Sequence, residues 1–77
     1  MEAYGEAAVR VRDAGFDGVE MHMAHAYTLS SFLSRMNGRR DEFGGASVEN
    51  RLRVPSLALA RVRERVGPDY PVGIRFD

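Results

Sequence analysis

The sequence predicts an α/β chain in which two strands alternate with longer helices, the arrangement of right-handed βαβ units around a parallel sheet. Alternation with period two in FDGVEMH, and again in YPVGIRFD, marks the strands. Apolar residues at three- and four-residue steps ahead of each strand mark the helices. Glycine punctuates both joins, at Gly15 and at the pair Gly67 and Pro68.

In the first helix, between Glu2 and Ala14, residues Tyr4, Ala7, Ala8, Val11 and Ala14 share one face, and Gly15 supplies the stop. The first strand then places Val19 and Met21 on one side and Gly18, Glu20 and His22 on the other. A face made of glycine, carboxylate and imidazole is too polar for ordinary packing, so it is expected to look into an interior shared with partners or a ligand. Glu20 buried there would need a cation, and Arg75 of the second strand is a candidate.

YTLSSFLS reads as a helix of about two turns presenting Leu29, Phe32 and Leu33. From Arg35 to Ser47 the residues are charged or small and include Gly38, Gly44 and Gly45, the composition of a long loop. Its RRDE run reads as a solvated, internally compensated face, and Met21, Met23 and Met36 as packing residues. Ser47 is placed to cap the next helix, with Glu49 in its first turn. Leu52, Leu59, Val62 and Val66 form that helix's apolar stripe, and Pro55 predicts a kink or a fresh start near Val54. The last strand puts Val72, Ile74 and Phe76 opposite Gly73 and Arg75.

Eleven basic and eleven acidic residues balance, which argues against nucleic acid as a partner. The absence of cysteine removes thiolate metal sites and disulfides and fits a reducing compartment, so a cytoplasmic location is the default. No apolar run reaches the ~20 residues that span a bilayer, and the acidic N-terminus lacks a signal-peptide core, so no membrane partner is expected.

Four side chains gather the chemistry. His22 and His25, three apart, can direct two N–H donors at one carbonyl or carboxylate oxygen. The same spacing could hold a metal, although no third ligand stands at an obvious spacing, or both rings could be satisfied by backbone groups. Tyr27 follows closely enough to bring its phenol to the same mouth, where it could give a proton; alternatively its ring packs and its hydroxyl meets water. Arg75, at a strand end, suits an anionic or electron-rich ligand edge.

The segments AGFDGVEMHMAHAY, FLS, RRDEFGG, ENRLR and GPDYPVGIRFD resemble, in order and nearly in spacing, the old yellow enzyme family of FMN-dependent NADH:flavin oxidoreductases. The resemblance covers essentially the whole chain. It implies a TIM barrel, (β/α)8, of which this chain looks like the middle: the helix before the fourth strand through the fifth strand. It implies FMN at the barrel's C-terminal mouth, NADH or NADPH as electron donor, and hydride transfer to an activated alkene such as an enone or a dienoyl thioester. By similarity, His22 and His25 hydrogen-bond the small-molecule substrate's carbonyl oxygen, Tyr27 protonates the α-carbon, and Arg75 contacts the flavin's pyrimidine edge.

Departures from the family pattern fall in and beside the loop: Ala26 where glycine is usual, Ser31 for glutamine, Arg35 for proline and Phe43 for tyrosine. A barrel of this kind needs about 250 residues. The expectation is therefore a single segment, residues 1–77, of a flavin-binding barrel, inactive alone and requiring the remainder of the barrel. The alternatives are a non-catalytic split-barrel module that pairs through its sheet edges, an amine-dehydrogenase-like branch of the same family, and a metal-dependent hydrolase using His22 and His25.

Overall fold

The structure, a computed structural model, describes residues 1–76; Asp77, the last residue of the GPDYPVGIRFD stretch and of the expected 1–77 segment, lies outside the described residues. The element order is α1 (Glu2–Asp13), β1 (Val19–His22), α2 (Thr28–Leu33), α3 (Val48–Val66) and β2 (Val72–Arg75). β1 and β2 form one two-stranded sheet. Val19 donates its N–H to Pro71 O at 3.0 Å and Met23 donates to Arg75 O at 2.9 Å, so the strands run parallel in one register, with Val19 opposite Val72 and His22 opposite Arg75. The fold is α/β, as the alternation of periods predicts. Among the described residues no helix is long and apolar enough to cross a membrane.

The chain forms two compact units. The first comprises Met1–Met21 and Leu57–Ile74. Its interior is built from Ala8, Met21, Ala58, Val62 and Val66. Gly5 is buried too: a Cβ there would stand 2.9 Å from Arg65 Cγ, so the missing side chain lets α1 lie against the arginine stems. Arg61 and Arg65 both pair with Glu2, and Arg12 Nη1 donates to Arg65 O at 3.3 Å, which ties α1 to the end of α3. Past α3, Gly67 takes a φ of +91° and Arg63 Nη1 donates to the carbonyls of Gly67 (2.9 Å) and Tyr70 (2.7 Å). Tyr70 Oη donates to Phe16 O, fixing the turn into β2 against the turn into β1.

The second unit comprises His22–Ser56 and Arg75–Asp77. Met23, Ala24, Leu29 and Val54 make its core. Ser47 caps α3 as expected: its Oγ accepts from Asn50 N and donates to Glu49 Oε2 at 2.9 Å. The N–H of Glu49 itself and this hydroxyl hold the Glu49 carboxyl below its usual range.

Three expectations need correction. α3 is one helix across Pro55, with no fresh start near Val54. Val54 and Pro55 are both buried, so packing outweighs the helix bond that proline removes. The buried stripe of α3 runs Val54, Ala58, Val62 and Val66 in strict four-residue steps, and Leu52 lies off it, exposed. Met36 does not pack: it is 93% exposed at the loop's start.

Candidate active site

The strand register decides what stands near His22. Glu20 and His22 are the exposed positions of β1, alternating with half-buried Val19 and buried Met21. Gly73 and Arg75 are the exposed positions of β2. Paired residues of a parallel sheet project to the same side, so His22 and Arg75 are lateral neighbours on one exposed face at the C-terminal ends of both strands. Glu20 lies opposite Gly73 instead, one layer down, and among the described residues no ion pair holds it; the suggested Glu20–Arg75 partnership is not formed.

After His22 the chain dives through buried Met23 and Ala24 and then turns sharply. His25 and Ala26 adopt φ of 60° and 59°, the left-handed region that costs an L-residue about 1–2 kcal/mol each. They are the only non-glycine residues with positive φ among those described. This turn folds the chain back, so that the His25 ring lies 5.3 Å from His22 in a T-shaped arrangement and the Tyr27 ring lies 5.7 Å from His22, tilted by 45°. Tyr27 occupies the N-cap position of α2 in extended conformation, and its hydroxyl makes no cap hydrogen bond. It is 66% exposed, a phenol presented to solvent rather than packed. Three of the four residues expected from the sequence therefore form one cluster, and Arg75 stands beside its first member on the same face.

Among the described residues no group of three or more His, Asp or Glu side chains converges to hold a metal. The donor set suits an organic ligand better: imidazole and phenol groups with an arginine fork alongside. Arg75, with five N–H donors and no acceptor, fits the electron-rich edge of a flavin ring. A separate concavity of about 570 Å³, lined by Met23, Ala26, Ser30, Ser34, Met36 and Phe76, belongs to the second unit. His22, His25 and Tyr27 do not line it, so the ring chemistry is located elsewhere; Ala26 is the only residue of the turn that borders it.

All of the chain, residues 1–77, matches the profile of the NADH:flavin oxidoreductase / NADH oxidase family. The chain belongs to this family. The NADH oxidase of Thermoanaerobacter brockii is 46% identical over 77 residues, and the cinnamate reductase of Clostridium sporogenes 45% identical over 78 residues. Each alignment covers 99% of this chain but only 12% of the relative. Among solved structures, morphinone reductase superposes with a TM-score of 0.86 at 46% identity, over 97% of this chain and 20% of that one. One of its structures is a complex with tetrahydroNAD. The chain thus spans about an eighth to a fifth of the length of these members of the NADH:flavin oxidoreductase family, and its two strands with their helices are part of a (β/α)8 barrel. In that architecture the C-terminal ends of the strands, where His22 and Arg75 stand, form the mouth that carries active sites.

Sequence reasoning missed two side chains that organise the loop after α2. Asn37 Nδ2 donates to the carbonyls of Phe32 (2.8 Å) and Phe43 (2.9 Å), closing the loop on itself. Arg51 Nε donates to Leu33 O at 3.1 Å, and its Nη1 donates to Gly45 O (2.9 Å) and Ala46 O (2.8 Å). The motif ENRLR contains this arginine, but nothing in its spacing says that it faces backward onto three carbonyls. Arg39 and Asp41 pair within the loop, as the compensated RRDE run implies. The guanidinium hydrogen bond, with the Phe43 N–H, holds the Asp41 carboxyl below its usual range.

Proposed function

We propose that this chain is the substrate-activating segment of an FMN-dependent oxidoreductase that takes electrons from NADH or NADPH and reduces an activated alkene on a small molecule, in the cytoplasm and with the remainder of the barrel completing the site. The observation that carries the reading is the His22–His25–Tyr27 cluster, on a strand-end face that Arg75 shares. His22 and His25 offer two ring N–H donors to one carbonyl oxygen, where negative charge grows as the conjugated alkene is reduced. Tyr27 holds the proton that the α-carbon needs, at a hydroxyl carried beside that oxygen site. Arg75 would hold the flavin's pyrimidine edge. Bound FMN would supply the hydride for the β-carbon.

The test is a chimera in which residues 1–77 replace the matching fifth of morphinone reductase. It is expected to take up FMN and to oxidise reduced nicotinamide in the presence of an enone, while the 77-residue chain by itself does neither. A chimera that folds, binds FMN and leaves every enone tested unreduced would overturn the alkene reading and leave the family membership standing. Zinc recovered in stoichiometric amount with hydrolase activity would replace it with the metal-hydrolase reading.

A further inference from the structure

The loop after α2 contains the pair Asn37–Gly38, an asparagine followed by the residue that least hinders attack on its side chain. Gly38 is exposed, with open space where a Cβ would stand, and its N–H donates to no group among the described residues. The Asn37 amide is held at every position. Its nitrogen donates to Phe32 O and Phe43 O, its oxygen accepts from Arg39 N at 3.2 Å, and its own backbone carbonyl receives the Gly45 N–H at 3.0 Å. Gly44 packs so closely on the amide that a Cβ there would come within 2.5 Å of Asn37 Oδ1. One side chain therefore latches both limbs of the loop.

We propose that Asn37 is a modification site: a self-deamidating latch, protected while the loop is closed and converted irreversibly when it opens. In the open loop the Gly38 amide nitrogen loses its proton to hydroxide and attacks Asn37 Cγ. The new N–C bond closes a five-membered succinimide, and the side-chain nitrogen departs as ammonia. Water then adds to either ring carbonyl and opens it, giving aspartate or isoaspartate; the net change is one water consumed and one ammonia released, with no electron transfer. In the closed loop the leaving nitrogen is pinned by two carbonyls, which holds the side chain in one rotamer and resists its departure. After conversion the latch cannot reform, because a carboxylate has no N–H for Phe32 O and Phe43 O and would face both of them with like charge. Isoaspartate also adds a methylene to the backbone of a loop that Arg51 fits at both ends.

Asn50 is the only other side-chain amide in the sequence and serves as an internal control. Residues 1–77, seated in the morphinone reductase chimera that completes the barrel, are incubated at mildly alkaline pH, with and without denaturant, and digested for mass spectrometry and isoaspartate assay. Conversion is expected at Asn37 and not at Asn50, many-fold faster in denaturant than in buffer. Gly38→Ala, which the open space admits, is expected to abolish most of the difference by slowing the denatured reaction. In the converted chain the Gly45 N–H should lose its hydrogen-exchange protection while the amides of α1 keep theirs. Equal rates with and without denaturant, conversion mainly at Asn50, or a converted chain with Gly45 still protected would each overturn the proposal.

Discussion

The rings of His22 and Tyr27 stand 5.7 Å apart because the backbone between them reverses through two left-handed residues, His25 and Ala26. A continuous extended or helical path from β1 would separate the two side chains onto different surroundings. The turn makes them neighbours and adds the His25 ring at 5.3 Å from His22. Strain at a residue pair beside convergent polar groups is the pattern expected where local backbone cost is offset by a useful arrangement. Here it is spent on aiming an imidazole pair and a phenol into one space.

Ala26 holds a φ of 59°, a conformation that glycine adopts freely and alanine does not. Ala26→Gly is expected to stabilise the chain by about 0.5–1 kcal/mol, relief of the Cβ clash exceeding glycine's extra chain entropy. Ala26→Val, β-branched at the same φ, is expected to destabilise by more than that. Urea unfolding of the three chains orders them Gly, Ala, Val, and a nuclear Overhauser contact between the His22 and Tyr27 rings should persist in the glycine variant. A glycine variant less stable than the parent would show that this turn is unstrained.

Asp41 accepts from the Arg39 guanidinium and from Phe43 N, and both favour its ionised form. Its folded pKa is lowered, so the contribution to loop stability is complete above the ordinary aspartate range and is lost as pH falls through the lowered value. A carbon-detected titration should give Asp41 a midpoint below the ordinary aspartate value. Arg39→Ala should raise it most of the way, with the Phe43 N–H retaining a residual shift. An unchanged midpoint in that variant would assign the effect to the backbone alone.

Gly38 and Gly44, two of the loop's three glycines, predict opposite outcomes. At Gly44 a Cβ would stand 2.5 Å from Asn37 Oδ1 and 2.7 Å from Arg39 Cβ, and the asparagine cannot move aside without giving up Phe32 O or Phe43 O. Gly44→Ala should therefore cost about 1–3 kcal/mol by overpacking. Gly38→Ala meets open space and should be close to neutral. Thermal unfolding of the two variants side by side checks the pair; equal effects would mean that the latch is not rigid.

Period and punctuation made most of the fold legible before any coordinate. Alternation in VEMH and VGIR assigns both strands and, through the parallel register, the side on which His22 and Arg75 stand. Pro55 left a fresh helix start open, which α3 does not take, because its cost is local while its burial beside Val54 is tertiary, and a pattern of residue types carries only the first. The cluster of His22, His25 and Tyr27 was nameable from spacing. The turn that assembles it was not, since alanine carries no signal for positive φ and the enrichment of histidine there is too weak to place a turn. Only Ala26's place at a position where the resemblance puts glycine hinted at it. Arg51 shows the same limit from the other side: a charged residue in an arginine-rich helix reads as solvated surface until its three carbonyl partners are seen.

Arg51 joins the end of α2 to the end of the loop, with Nε on Leu33 O and Nη1 on Gly45 O and Ala46 O. These carbonyls come from the two ends of one loop, so the fork fixes a distance that neither end sets by itself. Charge-assisted bonds of this kind contribute about 1.5–3 kcal/mol each when buried and less where water can replace them. With one of the three on exposed backbone, Arg51→Ala is expected to destabilise by about 2–3 kcal/mol in all. Arg51→Lys keeps the charge but presents a point donor that cannot reach both ends, and it should recover less than half of the loss. Hydrogen exchange separates this from a general loss of helix. The Gly45 and Asn37 amides should open early in both variants while those of Val62 and Val66 stay protected, and full rescue by lysine would mean that charge, not the fork, holds the loop.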